Sequence, residues 1–404
     1  RLVAEYMAKT YGVGKSVRWA LAGRNRDKLA QVRDGLVALD PRAGEIPLLI
    51  GDGRDAASLA PIVSSTRVVA TTVGPYAIHG HELAAACVEH GTDSCDLTGE
   101  PQFVRATIDR HHARAKDTGA RIVHCCGFDS IPSDLGVLLL QQEMQARHGA
   151  RCAQVKYFVT KLRGGFSGGT AASALHLMEE ASRDPQIRRL LGNPYALDVD
   201  RTEPGPDGSD QKGVRWDRDL RSWTGPFVMA AINTRIVRRS NALLGYRYGK
   251  DFRYGESQAL GSGLGGLAAA TAMTLGIGSF FALAAIPPTR ALLRRALPAP
   301  GEGPPKEARD SGFFVIKLVG IADAKNGAAP KRLLAIVRGQ SDPGYGETAK
   351  MISESAVCLA QDGEGEARAG GVLTPASAMG LRLVERLRRA GMAFDVEEMH
   401  SAAS

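Results

Sequence analysis

Apolar runs that end in turns of Gly, Pro, Asp and Ser recur along the first third of this chain. The stretches Arg18–Asn25, Val68–Tyr76, Ser94–Glu100 and Arg121–Asp134 all have this form, with helical stretches between them. Strands alternating with helices build an open parallel α/β sheet. The turns at the carboxyl ends of such strands open on one edge, and folds of this kind bind their ligands there. Five strands are expected, at Val17–Ala22, Ile46–Gly51, Val68–Thr72, Ser94–Leu97 and Arg121–Cys126. Helices are expected at Gly80–His90 and Pro101–Thr118, each stopped by a glycine, and Asp55 is placed to cap a third.

The first expected element is a helix, Arg1–Thr10, with Leu2, Val3, Tyr6 and Met7 on one face. A dinucleotide-binding sheet normally begins with a strand and a glycine-rich turn ahead of this helix. Neither precedes it here, so the expectation is a fragment that lacks the first strand and the phosphate-binding loop.

Beyond Pro132 the texture changes. Helices are expected at Asp134–Arg147, Ala171–Ser182, Thr348–Gln361 and Pro375–Ala390. Strands are expected at Ala153–Leu162, Phe313–Ala322 and Arg332–Gly339, the last two pairing through a turn at Asn326–Gly327. The polar stretch Pro185–Ser222 reads as a long surface loop. At 404 residues the chain exceeds one small core.

Composition narrows the partners. Net charge is +8 and aromatics total 6%, with no Lys/Arg run interleaved with aromatics, so nucleic-acid binding is not expected. A basic surface also suits an anionic cofactor, an acyl carrier or lipid headgroups. The six cysteines form no Cys-x-x-Cys pair, which fits buried thiols in a reducing cytoplasm. No metal site is expected, because His124, Cys125 and Cys126 are adjacent and lack a sensible ligand geometry, and His79 and His81 stand alone.

Residues 260–287 carry no charge. The run is long enough for a bilayer span of about 20 residues, and Arg290, Arg294 and Arg295 follow it. Its many Gly, Ala, Ser and Thr residues weaken the apolar signal. A buried helix or one lying at a membrane surface is favoured over a span.

The candidate chemistry sits in the turns. The residue after the second strand of a dinucleotide fold meets the adenosine ribose, and an Arg there pairs with the 2′-phosphate of NADP. Gly23, Arg24 and Asn25 occupy that place, with Arg26 and Lys28 nearby; a solvated turn is the plain alternative. Asp52 could hold the adenine amine or close an Asx turn. Thr72, Val73, Gly74 and Pro75 form a turn that lets backbone approach a diphosphate and a nicotinamide ribose. Tyr76 is a candidate proton donor or a packing residue. Asp96 and Glu100 could move protons, with helix capping the stronger alternative for Glu100. Gly127 and Phe128 are candidate cofactor contacts, and Asp129 is a second candidate proton donor. Ser130, Ser133 and Asp134 add polar groups to the same turn, with capping of the next helix as the alternative for Ser133 or Asp134. No hydrolase or kinase motif occurs.

Taken together, Leu21–Arg24, Thr72–Tyr76, Asp96–Glu100 and Cys126–Asp134 resemble the saccharopine dehydrogenase-like oxidoreductases, closest to the actinobacterial trans-acting enoyl reductases. The similarity continues through Ser167–Thr170, Asn233–Ala242 and Gly371–Gly380. It implies a Rossmann-type parallel sheet over residues 1–140, an inserted α+β substrate domain over 141–347, and C-terminal helices over 348–404 that return to the first domain. It also implies NADPH as cofactor, a lipid-like or carrier-bound acyl substrate, and a polyketide synthase as partner. The branch serves envelope lipids of the phthiocerol type, and a related animal branch associates with lipid droplets, which adds weight to a membrane surface at 260–287. Two other readings stay open. One is an imine-reducing amino-acid dehydrogenase whose cleft is lined by Arg163, Arg235 and Arg238. The other is a non-catalytic lipid-associated protein with a vestigial nucleotide fold.

Overall fold

The computed structural model describes residues 1–164, 168–199, 205–297, 303–323, 329–362 and 369–399. The first part alternates as expected: α1 (Leu2–Tyr11), β1 (Leu21–Gly23), α2 (Arg26–Gly35), β2 (Leu48–Ile50), α3 (Ala56–Ser64), β3 (Val68–Thr71), α4 (Tyr76–His79), α5 (His81–His90), β4 (Asp93–Asp96), α6 (Pro101–Thr118) and β5 (Arg121–Val123). Local signals set the helix ends. Asn25 accepts from the Lys28 amide and Asp55 from the Ala57 amide, which starts α2 and α3. Gly91 and Gly119 stop α5 and α6 at φ 66° and 78°, backbone angles that favour glycine.

The second part begins with α7 (Ile131–His148), β6 (Cys152–Arg163), α8 (Gly168–Arg183) and α9 (Pro185–Gly192). It continues with β7 (Arg215–Asp217), β8 (Ser222–Gly225), α10 (Ala230–Leu243), β9 (Arg253–Ala259), α11 (Gly263–Ala285), α12 (Pro287–Ala296), α13 (Lys306–Asp310), β10 (Phe313–Ala322) and β11 (Arg332–Gly339). The chain closes with α14 (Thr348–Gln361), β12 (Gly371–Leu373), α15 (Pro375–Ala378), α16 (Gly380–Arg389) and β13 (Ala393–Glu398).

Parallel pairing joins β1 to β2 in one ladder, and β3, β4, β5 and β12 in that order in another. No hydrogen bonds join the two ladders among the described residues. Burial tracks this arrangement: β4, β5 and β12 are wholly buried, whereas Ala22 of β1 and Ala70 of β3 are exposed. A seven-stranded mixed sheet, ordered β13-β11-β10-β6-β9-β8-β7, forms the other layer. The helix α7 packs on that sheet, and its Gly136 lets Leu318 approach so closely that a Cβ would stand 3.0 Å from it. Residues Leu135, Leu140, Tyr157, Leu318 and Phe394 fill one continuous core there.

Several expected elements differ in the structure. The stretch Pro185–Ser222 is not all loop: Asp184 caps α9, and Arg215–Asp217 pairs with Ser222–Thr224 as a hairpin. The helix expected at Pro375–Ala390 is two, because Gly380 at φ 58° breaks it. The turn expected at Asn326–Gly327 lies outside the described residues, while the strands it joins pair as expected from Phe314↔Gly339 to Ile321↔Arg332. The C-terminal segment returns to the first sheet through α14 and β12, and it also adds β13 to the edge of the mixed sheet. The helix α7 runs across position 140 without a break.

Candidate functional site

The turns at the carboxyl ends of the parallel strands are where this topology predicts a ligand site. After β1, Gly23 packs on Leu29, Arg24 is exposed, and the Asn25 side chain is engaged in capping α2. After β2, Asp52 accepts from the Arg54 amide at 3.0 Å, an Asx turn. Arg54 in turn donates to His79 Nδ1 at 3.2 Å. Burial first, then the charges of Arg54 and Arg24, holds the His79 imidazole below its ordinary pKa. The structure therefore brings the charges of Arg24 and Arg54 to a neutral His79 at the β1 and β2 end of the edge.

After β3, Thr72 and Val73 are exposed, and Gly74 and Pro75 are half-buried. A Cβ on Gly74 would meet nothing nearer than the Tyr76 ring at 3.4 Å, so this turn stays open to a ligand. Tyr76 itself is buried, and its hydroxyl is engaged on both sides. It donates to the Thr71 carbonyl at 3.1 Å and accepts from the Leu97 amide at 3.2 Å. Desolvation pushes its phenol well above its ordinary pKa. The geometry makes Tyr76 a strut between the β3 and β4 turns.

After β4, Asp96 accepts from the Thr98 and Cys125 amides and lies 2.6 Å from His124 Nδ1. Glu100 does cap a helix, but a different one from that expected. Its carboxylate accepts from the Tyr76 and Ala77 amides at the start of α4, and from Ser173 Oγ of α8 at 2.8 Å. A carboxylate at a helix N-terminus satisfies orphan amides and meets the positive end of the helix dipole.

After β5 the turn is tight: Cys125 has φ 63°, an uncommon backbone angle for a residue with a side chain. A Cβ on Gly127 would stand 2.8 Å from Leu97, and the Phe128 amide donates to Thr348 Oγ1. These contacts seat the turn between β4 and α14. Asp129 comes next and is half-buried. Its Oδ2 would lie 3.1 Å from a Cβ on Gly99, with the Met229 methyl close by. Burial alone pushes its carboxyl up to about 7. An acid in this state holds a proton near neutral pH and can give it up. The cap of α7 is Ser130, so neither Ser133 nor Asp134 has that role. Asp134 is instead buried, accepting from Ser240 Oγ and the Ala376 amide.

The sequence reading did not single out the Asp96–His124 pair, nor Tyr157, Asn233 and Glu256, which lie near the Asp129 turn. Their partners are remote in the chain, and only the Asn233–Ala242 motif pointed to one of them. All six cysteines are free and buried. Among the described residues no cluster of His, Cys, Asp or Glu could hold a metal ion.

No protein-family model matches the chain. Among curated proteins, the trans-acting enoyl reductase of Mycobacterium ulcerans is 39% identical over 399 residues, which cover 95% of this chain and 92% of that protein. The trans-acting enoyl reductase of Mycobacterium tuberculosis is 39% identical over 405 residues, covering 97% and 93%. A further Mycobacterium tuberculosis relative, provisionally named for the same activity, is 42% identical over 414 residues, covering 99% and 95%. Among solved structures, the apo saccharopine dehydrogenase (L-Glu forming) of Saccharomyces cerevisiae matches with a TM-score of 0.53 at 12% identity, covering 99% of this chain and 98% of that one. The fold is therefore saccharopine dehydrogenase-like, and the chain belongs to the family of trans-acting enoyl reductases.

Proposed function

We propose that this chain is a nicotinamide-dependent reductase of a carbon–carbon double bond in a long acyl or polyketide precursor carried on a synthase. The observation that carries this reading is the run of turns at the carboxyl ends of the parallel strands, which bears Arg24 and Arg54 after β1 and β2 and Asp129, its carboxyl raised to about 7, after β5. NADPH is the cofactor that suits these arginines, because Arg24 follows the strand after which such folds meet the ribose 2′-position and its charge, like that of Arg54, reaches His79. Bound along the edge, NADPH would supply a hydride to the β-carbon of the substrate. Gly74 leaves room for it, and Gly99 lets the Asp129 carboxyl lie against its backbone. Asp129 then delivers a proton to the α-carbon. Tyr76, with its hydroxyl engaged twice, holds the turns in place.

The rival imine substrate would need free cations for its carboxylates. Arg235 instead pairs with Asp210 and the Leu191 carbonyl, and Arg238 with Asp207 and the Pro194 and Tyr254 carbonyls. Arg163 is exposed. Two of the three are thus held by carboxylates.

A lipid-like substrate agrees with α11. This 23-residue helix lies on the protein by a stripe through Gly266, Ala270 and Ala284. Only 11% of its most apolar stretch is buried, and Leu264 and Leu275 are 84% and 65% exposed. A helix held along one stripe suits an interfacial position better than a span. We therefore place the protein in the cytoplasm, peripheral to a membrane. The test is NADPH oxidation with a trans-2-dodecenoyl thioester. Turnover with NADPH that Asp129→Asn lowers while leaving NADPH binding intact supports the reading, and absence of turnover with any enoyl thioester in the presence of lipid vesicles overturns it.

A further inference from the structure

The hydroxyl of Ser130 is not used as its position would suggest. Ser130 is the N-cap of α7, where a serine side chain ordinarily accepts from a backbone amide of the first turn. Here it makes no capping bond. It donates instead to Asn233 Oδ1 at 3.0 Å, a residue of α10 more than a hundred positions away. Asn233 Nδ2 donates to Glu256 Oε2 at 2.9 Å, and Tyr254 Oη donates to Glu256 Oε1 at 2.7 Å. All four residues are buried. The chain of bonds runs from the β5–α7 turn through α10 to β9, and so from the parallel sheet into the mixed sheet.

Resting on the reading of Asp129 as proton donor, we propose that Asn233 and Glu256 are positioning residues, which clasp the turn bearing Asp129 to the mixed sheet by way of Ser130. Asp129 is the next residue to Ser130, so fixing one fixes the backbone of the other. Buried polar networks hold a geometry rigidly when every member is paired. A donor must meet its carbon within hydrogen-bonding reach, and small displacements lower the rate steeply. Within its own turn Ser130 also meets the Cys125 thiol, and Asn233 is its partner on the far side of the turn.

Asp129 is felt by Cys125 of its own turn and by Tyr157 of β6, both pushed up in part by it. Glu256 faces Tyr254, Asn233 and Ser133, with Asp210 acting from outside. Burial is the largest influence on its carboxyl, which is pushed up to about 7. Desolvation is the cause of the Asp129 shift and the largest cause of the Glu256 shift, so the position of the turn, with its exclusion of water, governs how Asp129 titrates.

The test follows Asp129 directly, in the full chain labelled with 13C-carboxyl aspartate and assigned with Asp129→Asn. The clasp is opened by Asn233→Ala and by the milder Ser130→Ala, which removes one bond and keeps the rest of the fold, and is restored by Ser130→Thr. The expected result is an Asp129 midpoint near 7 in the unaltered protein. It falls by about one unit or more in Ser130→Ala, as water reaches the loosened turn, and returns in Ser130→Thr. The alkaline limb of kcat with the dodecenoyl thioester moves with it, and NADPH affinity does not. A midpoint that stays near 7 in a folded Ser130→Ala protein overturns the clasp alone. An ordinary carboxylate midpoint in the unaltered protein overturns the donor reading and the clasp together.

Discussion

Replacing Glu256 by Gln tests the physics of this interior independently of any substrate. Glu256 is 4% exposed, and its carboxyl is raised from 4.5 to about 7, with desolvation the largest cause. In the unfolded chain the same group titrates normally. Between the two values the folded protein keeps a proton that the unfolded chain has released. The stabilising effect of the neutral form is therefore fully present below the unfolded pKa and is lost as pH rises through the folded one. A shift of this size corresponds to about 3 kcal/mol once both states are ionised. Glutamine stays neutral and keeps an acceptor for Asn233, while the Tyr254 hydroxyl can turn to accept from its amide. Urea unfolding of both proteins at pH 5 and pH 8 reads the difference directly. The stability of Glu256→Gln relative to the unaltered protein is expected to rise by about 2–3 kcal/mol between the two pH values. Asp129 and Asp134, also raised to about 7, bias the pH dependence in the same direction in both proteins and cancel in the comparison. A difference that does not change with pH would refute a buried, raised Glu256.

Other outcomes follow from the turns at the strand ends and from α11. Asp129→Asn is expected to lower kcat by about a hundredfold to ten-thousandfold, the usual effect of losing a positioned acid, with NADPH affinity unchanged by calorimetry. In the unaltered protein kcat should fall above pH 7 as Asp129 ionises, and the residual rate of Asp129→Asn should be flat there. Arg24→Ala should weaken NADPH binding by about tenfold to a hundredfold while leaving NADH nearly unaffected, since a charge-assisted bond to phosphate is worth roughly 1.5–3 kcal/mol. Leu275→Asp lies on an exposed face and should change folding stability by no more than about 0.5 kcal/mol. The same change should cut sedimentation with anionic vesicles by about tenfold or more, because an apolar side chain of that size loses roughly 2 kcal/mol of burial.

The parts of the fold that were legible in sequence rest on local signals. Apolar runs followed by turn residues marked β3, β4 and β5, and Asn25 and Asp55 marked helix starts that their side chains do cap. The pairing of β10 with β11 was readable from two apolar runs of matching length. Less local features were not. In the polar run after Asp184, a Pro at N1 starts α9, and Ile187, Leu190 and Leu191 recur at helical spacing, but the helix spans only eight residues and none of them is buried. The strand β13 is half polar because it lies at a sheet edge. Glu100 precedes Pro101 and was read as a cap for its own helix, whereas its carboxylate folds back onto α4. The pair Asp96–His124 and the bonds joining Ser130, Asn233 and Glu256 connect residues from different elements, and no spacing in a single sequence encodes them. The apolar character of α11 was legible, but its exposure depends on what the rest of the chain leaves uncovered.

The most direct test of the central claim is the fate of the transferred hydrogen. The protein would be incubated with NADPH deuterated at the transferring position, a trans-2-dodecenoyl thioester and lipid vesicles, and the saturated product analysed by mass spectrometry. The account predicts one deuterium at the β-carbon and one solvent hydrogen at the α-carbon, with product formation depressed in Asp129→Asn. No saturated thioester, or a saturated thioester without deuterium at the β-carbon, would contradict it.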